Sequence, residues 1–162
     1  MRGIGEGSAE IRLMRPGEEV ACKAILRALP EWFGIEESLV GYVRALATLE
    51  TWVAERGGAI VGFLAVKQHS PWAAEIEVMA VTPALRGRGH GRQLVECAER
   101  ALRGRSVEFL QVKTLSPSRA DAHYEQTRGF YERLGFRALE ETNVWGEGNP
   151  CLVMVKYLPS PA

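Results

Sequence analysis

Three glycines and three arginines alternate in one short segment of the chain, RGRGHGR at residues 86–92. Glycines at alternate positions let the backbone approach a ligand closely and leave its N–H groups free to point outward. The segment lies between an apolar strand pattern and an amphipathic helix pattern, and a helix N-terminus favours phosphate through its partial positive charge. Further cationic donors come from Arg86, Arg88 and Arg92. The segment therefore predicts a site for a phosphorylated ligand.

The elements that must position this segment alternate between strand and helix patterns. Strand patterns cover 10–15, 51–56, 59–67, 74–81, 107–114, 136–145 and 151–158. Helix patterns cover 20–29, a stretch from about 36, a stretch from the glycine-rich segment to about 103, and 121–134. The resulting order, β-α-α-β-β-β-α-β-α-β-β, predicts an α/β protein with a mixed sheet and helices on its faces. We expect a flexible lead at 1–9 and a single domain at 10–162.

Composition excludes several classes of protein. Twenty basic residues balance twenty acidic ones, which argues against a nucleic-acid-binding protein, and no apolar run approaches the roughly 20 residues that span a bilayer. The three cysteines have no CxxC spacing, so they predict neither a disulfide framework nor a metal site. These features favour a cytoplasmic protein with reduced thiols, no metal and no membrane partner.

Of the known phosphate-binding patterns, two fail here. The dinucleotide pattern G-x-G-x-x-G, counted from Gly87, finds Arg92 where its third glycine belongs, and no Lys-Ser or Lys-Thr completes a P-loop. The pattern [Arg/Gln]-x-x-Gly-x-[Gly/Ala] fits at Arg86, Gly89 and Gly91. A second motif, Phe-Tyr-x-x-x-Gly-Phe, ends the helix pattern at residues 130–136. On these two motifs and the element order, the chain resembles the GNAT superfamily of acyl-CoA-dependent N-acyltransferases.

That resemblance implies where the co-substrate acetyl-CoA would bind. The loop would hold the pyrophosphate of coenzyme A through its main chain and arginines, at Arg86, Gly87, Arg88, Gly89, His90, Gly91 and Arg92. We expect His90 to contribute its backbone N–H and to turn its ring toward solvent. The preceding strand would pair with the pantetheine arm through Val78, Met79, Ala80 and Val81. An N–H group near Met79 would polarise the thioester carbonyl.

The resemblance also implies which side chains move protons. Glu75 and Glu77 lie two apart on one strand, so they are expected to share a face, and either could accept the amine's proton. If both line one cleft, their mutual repulsion should raise one pKa; Glu77 lies nearer the expected thioester. Tyr131 matches the tyrosine that protonates the departing thiolate. Tyr124 occupies a position where many members carry an asparagine that contacts pantetheine, so that contact is in doubt.

The sequence thus predicts a cytoplasmic N-acetyltransferase in which a primary amine, on a small molecule or a peptide, attacks acetyl-CoA directly. The alternatives are a non-catalytic acyl-CoA-binding or sensing module and an N-acyltransferase that uses another acyl-CoA. A nucleic-acid-binding protein that uses the arginines near the loop is disfavoured by the balanced charge. Trp32 and Phe33 fall in a region that often lines the acceptor pocket in this family, although core packing explains them equally well. The acceptor and the oligomeric state stay open, a homodimer being one option.

Overall fold

The computed structural model describes residues 8–160, so most of the predicted lead at 1–9 lies outside the described residues. The elements are β1 (Glu10–Leu13), α1 (Glu19–Arg27), α2 (Pro30–Phe33), α3 (Glu36–Leu46), β2 (Glu50–Arg56), β3 (Ala59–Gln68), β4 (Ala73–Val81), α4 (His90–Gly104), β5 (Phe109–Leu115), α5 (Ala122–Arg133), β6 (Arg137–Thr142) and β7 (Cys151–Tyr157). The predicted α/β order is confirmed, with the four-residue helix α2 as an addition. The strands form one mixed sheet in the order β1-β2-β3-β4-β5-β7-β6.

The chain divides into two compact units, and the boundaries between them fall within β3, β4 and α4. The first unit comprises the residues up to Val66 together with Val78–Ala98, and the second comprises Lys67–Glu77 with the residues from Glu99 onward. None of the helices in the described part of the chain is long and apolar enough to cross a membrane.

In the first unit, strands β1, β2 and β3 pair antiparallel, and helices α1 to α3 cover them. The β2–β3 turn uses Gly57 and Gly58, both with positive φ, as the two-residue hairpin signal predicts. The core joins buried residues of these strands and helices to two residues of β4: Cys22, Ile25, Leu26, Leu29, Leu39, Leu46, Val53, Phe63, Ala65, Val78 and Ala80. The first unit therefore fixes the end of β4 from which the glycine-rich loop departs.

Gly62 on β3 explains how closely this core packs. A Cβ atom at this position would lie 3.2 Å from the Ala80 carbonyl oxygen, 3.2 Å from Val81 Cγ2 and 3.3 Å from Leu94 Cδ1. All three contacts are tighter than ordinary van der Waals distance, and one is to rigid backbone. Only glycine therefore lets β4 and α4 approach β3 this closely without displacement.

In the second unit, the first residues of β4 pair in parallel with β5, from Ala73↔Phe109 to Ile76↔Val112. Strand β5 pairs antiparallel with β7, which pairs antiparallel with β6. The pairing of β6 is irregular between Ala138 and Glu140, where a β-bulge shifts the register. The strand predicted at 136–145 ends at Thr142, because a turn closed by a hydrogen bond from Gly146 N to the Asn143 carbonyl follows it.

Helix α5 begins and ends where its sequence indicates. Asp121 caps it by accepting hydrogen bonds from the N–H groups of His123 and Tyr124. Gly135, with φ of +97°, follows its last turn, and its N–H donates to the Glu132 carbonyl. These two caps fix the length of the helix that carries Tyr131.

Candidate functional site

The glycine-rich loop leaves β4 after Val81 and enters α4 at His90. A hydrogen bond from Thr82 N to the Val61 carbonyl, 2.8 Å long, holds its start, and a single 3₁₀ turn at Pro83–Leu85 follows. Gly87 and Gly89 then adopt φ of +76° and +87°, which residues with a Cβ rarely adopt. A Cβ at either glycine would have no atom within 4 Å, so the space beside both is open. The loop thus presents open backbone at the start of a 15-residue helix.

The arginines of the loop are available to a ligand. Arg86, Arg88 and Arg92 are exposed, while Leu94, Val95 and Ala98 anchor the helix behind them in the protein interior. Three cations beside a helix N-terminus create a positive potential that attracts phosphate. The local geometry therefore suits the anionic ligand that the sequence indicates.

Arg86 makes one contact that the sequence does not reveal. Its guanidinium carbon lies 4.3 Å from the centroid of the Trp32 ring on α2, within cation–π distance. The contact joins the loop to a helix more than fifty positions earlier in the chain, so no local pattern could have indicated it. It also shows that Trp32 neighbours the loop.

His90 does not turn its ring toward solvent, and that expectation is wrong. The residue is only 1% exposed, and neither ring nitrogen has a hydrogen-bond partner within the described residues. The Gln93 Oε1 atom, one turn further along α4, is likewise buried and unpartnered. His90 is the first residue of α4, and its ring is buried where the loop enters the helix.

The end of β4 alternates in burial, as a strand with one face in the core does. Val78 and Ala80 are each 6% exposed and belong to the core of the first unit, whereas Met79 and Val81 are partly exposed. Core packing thus occupies the side chains of Val78 and Ala80, so a role of these two residues toward a ligand falls to their main chain.

Glu75 lies in a polar network of the second unit. Its Oε1 atom accepts hydrogen bonds from His69 Nε2 (2.8 Å), Gln111 Nε2 (3.0 Å) and Lys113 Nζ (2.9 Å), and Lys113 also reaches Oε2 at 3.1 Å. We call these four residues the Glu75 cluster. Glu75 is 4% exposed. Its carboxylate is therefore committed to partners inside the protein.

The pKa of Glu75 follows from these partners. Burial alone would raise it, but hydrogen bonds from Lys113, Gln111 and His69 outweigh burial and hold the pKa below the ordinary value of 4.5. A raised pKa, which we expect for one of the two glutamates if both line one cleft, is thus not found at Glu75. Glu77 is partly exposed, and its carboxylate has no hydrogen-bond or ion-pair partner among residues 8–160. The two glutamates differ in environment, and Glu77 is the freer of the two.

Tyr131 is buried on α5 and 5% exposed. Its ring meets Phe130 and Phe136 edge to face, with centroids 5.2 Å and 5.4 Å away. Burial raises the pKa of Tyr131, so its phenol stays protonated at neutral pH. A neutral phenol can donate a proton, although its aromatic contacts also suit a packing role.

Comparison with known proteins agrees with this architecture. Residues 47–138, more than half of the chain, match the family model of the acetyltransferase (GNAT) domain. An uncharacterised N-acetyltransferase of Chlorobaculum tepidum is 28% identical over 119 residues, which cover 71% of this chain and 66% of the relative. The aminoalkylphosphonate N-acetyltransferase of Salmonella typhimurium is 32% identical over 90 residues, which cover 52% of this chain and 58% of the relative. The chain thus spans less than two thirds of either relative.

Solved structures extend the similarity to the fold. A protein of Desulfovibrio desulfuricans assigned to the GNAT family superposes with a TM-score of 0.83 at 16% identity, covering 94% of this chain and 100% of that one. Two further structures with this fold, at TM-scores of 0.74 and 0.67, were solved with coenzyme A and with acetyl-CoA. The family match and the shared fold lead to one conclusion: this chain belongs to the GNAT acetyltransferase family.

Proposed function

We propose that the protein is an N-acetyltransferase that transfers the acetyl group of acetyl-CoA to a primary amine. The observation that carries the proposal is the open backbone at Gly87 and Gly89, which leads into a long helix beside exposed arginines. This arrangement suits a diphosphate, and coenzyme A is the diphosphate that related structures hold. We infer that the main-chain N–H groups of residues 87–91 bind it, and that Arg86, Arg88 and Arg92 add charge.

The pantetheine arm would then follow the end of β4. The main-chain groups of Val78, Met79, Ala80 and Val81 would pair with its amides, and an N–H near Met79 would polarise the thioester carbonyl. The buried side chains of Val78 and Ala80 support this assignment, because they hold the strand rigidly in the core. A rigid donor needs no reorganisation as negative charge develops on the carbonyl oxygen.

The reaction would be a direct attack without an acyl-enzyme. The amine nitrogen forms a bond to the acetyl carbon, the C–S bond breaks, and the sulfur leaves as a thiolate. Of the two candidate bases, we favour Glu77 for the amine's proton, because the Glu75 carboxylate already accepts hydrogen bonds from three residues. Tyr131 would donate the proton that the thiolate takes up.

The chemistry of the proposed reaction requires a primary amine as acceptor. The names of related proteins cover an aminoalkylphosphonate, a ribosomal protein and aminoglycosides. We propose a small-molecule or peptide amine as acceptor, in a cytoplasmic enzyme that acts as a monomer or a homodimer.

Two measurements test the proposal. Calorimetry should show that the full chain binds coenzyme A, and a panel of amines with acetyl-CoA should release free thiol.

Tyr131→Phe and Glu77→Gln should each lower kcat by about a hundredfold while the KM for acetyl-CoA changes little. The matched control is Tyr157→Phe, which removes a hydroxyl from a tyrosine that is 60% exposed. Coenzyme A binding without turnover of any amine would instead indicate the non-catalytic module.

A further inference from the structure

The contact between Arg86 and Trp32 links the glycine-rich loop to the helices between β1 and β2. Both residues lie in the first unit, and the guanidinium carbon sits 4.3 Å from the ring centroid. Arg86 has no ion-pair partner among residues 8–160, and its guanidinium packs on the face of the indole ring. A guanidinium on an aromatic face is held in one place yet keeps donors at its edge for an anion.

Trp32 is held in place by its backbone and by the core of the first unit. The backbone N–H groups of Trp32 and Phe33 donate to the Leu29 carbonyl at 3.1 Å and 2.9 Å, and Leu29 is a buried core residue. Trp32 packs against that core, and Phe33 meets Tyr42 of α3 edge to face at 6.0 Å. The core therefore supports α2, and Trp32 of α2 in turn supports Arg86 at the start of the loop.

The position of Arg86 in the chain makes this support consequential. Arg86 has extended backbone, with φ of −66° and ψ of 149°, and it stands between the 3₁₀ turn and Gly87. The glycines that follow can adopt many conformations, so the loop needs an anchor at its entry to hold one of them. The indole face provides that anchor from outside the loop.

We propose that Trp32 is a positioning residue for the glycine-rich loop. Trp32 holds Arg86 in place, so that the loop is preorganised to bind a diphosphate. This inference rests on the proposed function, since it assumes that coenzyme A binds at the loop. Trp32 acts through Arg86 and touches no reacting atom, so its loss should weaken binding of coenzyme A and leave the chemical step unchanged.

A double-mutant cycle tests the coupling, with coenzyme A as the probe in calorimetry on the full chain. Trp32→Leu should raise the Kd about two- to fivefold, the range expected for an exposed cation–π pair. In an Arg86→Ala background the same change should have no further effect, because the guanidinium is already absent. Trp32→Phe should restore most of the affinity, and kcat at saturating acetyl-CoA should match the wild type.

The control is Trp72→Leu, which removes a tryptophan that is 59% exposed and lies outside the loop and its support. It should leave the Kd unchanged. If Trp32→Leu does not fold, Trp32→Met, which also removes the aromatic face, replaces it in both Arg86 backgrounds. Equal losses in both backgrounds, or a loss in kcat alone, would overturn the role of Trp32 only. Absence of coenzyme A binding by the wild-type chain would overturn the proposed function and this inference together.

Discussion

The glycine-rich loop and the Glu75 cluster are both polar, but they are built in different ways. In the loop, neighbouring residues set the conformation through two positive φ angles and the start of a helix. In the Glu75 cluster, Gln111 and Lys113 reach Glu75 from 36 and 38 positions away. The loop offers open backbone to a ligand, whereas the cluster satisfies its own charges inside the protein.

This difference explains why the sequence indicates the conformation of the loop better than the environment of Glu75. The role of a glycine in a loop can be inferred from its neighbours in sequence, because that role is to adopt a backbone conformation that other residues rarely adopt. A glutamate on a strand has no defined role until the partners from the next strand are known. Glu75 was a candidate base, but its partners make it a carboxylate held within the protein.

The largest effect should come from the loop. Gly89→Val must place a β-branched residue at φ of +87°, which costs about 1–3 kcal/mol, and its side chain would fill space meant for the ligand. We expect the Kd for coenzyme A to rise at least about thirtyfold. Gly146→Val is the matched control, since Gly146 has φ of +86° and equally open surroundings in the turn after β6. Equal Kd values for the two variants would remove the loop assignment.

An intermediate effect should come from a substitution in the Glu75 cluster, and it should lower the free energy of unfolding. Glu75→Gln leaves the Lys113 ammonium without its carboxylate partner, so the free energy of unfolding should fall by about 1–3 kcal/mol. Glu77→Gln is the control and should change it by less than about 0.5 kcal/mol, because Glu77 has no such partner among residues 8–160. Urea denaturation measures both. If the two variants lose the same stability, the cluster does not have the structural role assigned to it.

The smallest effect should come from a charge cluster that is mostly local in sequence. Glu18 accepts hydrogen bonds from Arg12, six positions earlier, and from the Arg15 N–H, which lower its pKa from 4.5 to about 2. Because the folded pKa lies below the unfolded one, Glu18 stabilises the fold above pH 4.5, and this contribution is lost as the pH falls toward 2.

Unfolding of wild type and Glu18→Gln at several pH values measures this contribution. The stability gap between them should be constant above pH 4.5 and close as the solution becomes more acidic. A gap that persists at the acidic end would mean that Glu18 stabilises the fold by packing and not by its charge.

Most of the fold could be predicted because its signals are local. The strand and helix patterns that predict the order of the elements, like the glycine pair at the β2–β3 turn and Gly135 after α5, all act within a few residues. Helix α2 was missed because four residues are too few to show a period. Its location beside the loop depends on Trp32 packing on a distant arginine, which no local pattern records.

The candidate site was predicted in part, for the same reason. The loop residues and the strand before them are contiguous, and the structure brings them together at the start of α4. The burial of the His90 ring and the close packing at Gly62 both depend on elements that meet only in the folded chain. Their signal in the sequence is weak, because histidine occurs inside and outside proteins and an isolated glycine in a strand has several explanations.

The irregular pairing of β6 has a consequence for how the protein behaves at high concentration. β6 is the last strand in the order of the sheet, and its bulge between Ala138 and Glu140 interrupts the even spacing of its peptide groups. A flat, regular border could recruit strands from other molecules and start a fibril, whereas a kinked border that carries Arg137, Glu140 and Glu141 is a poor template. The same irregularity should therefore help to keep the protein free of amyloid-like growth.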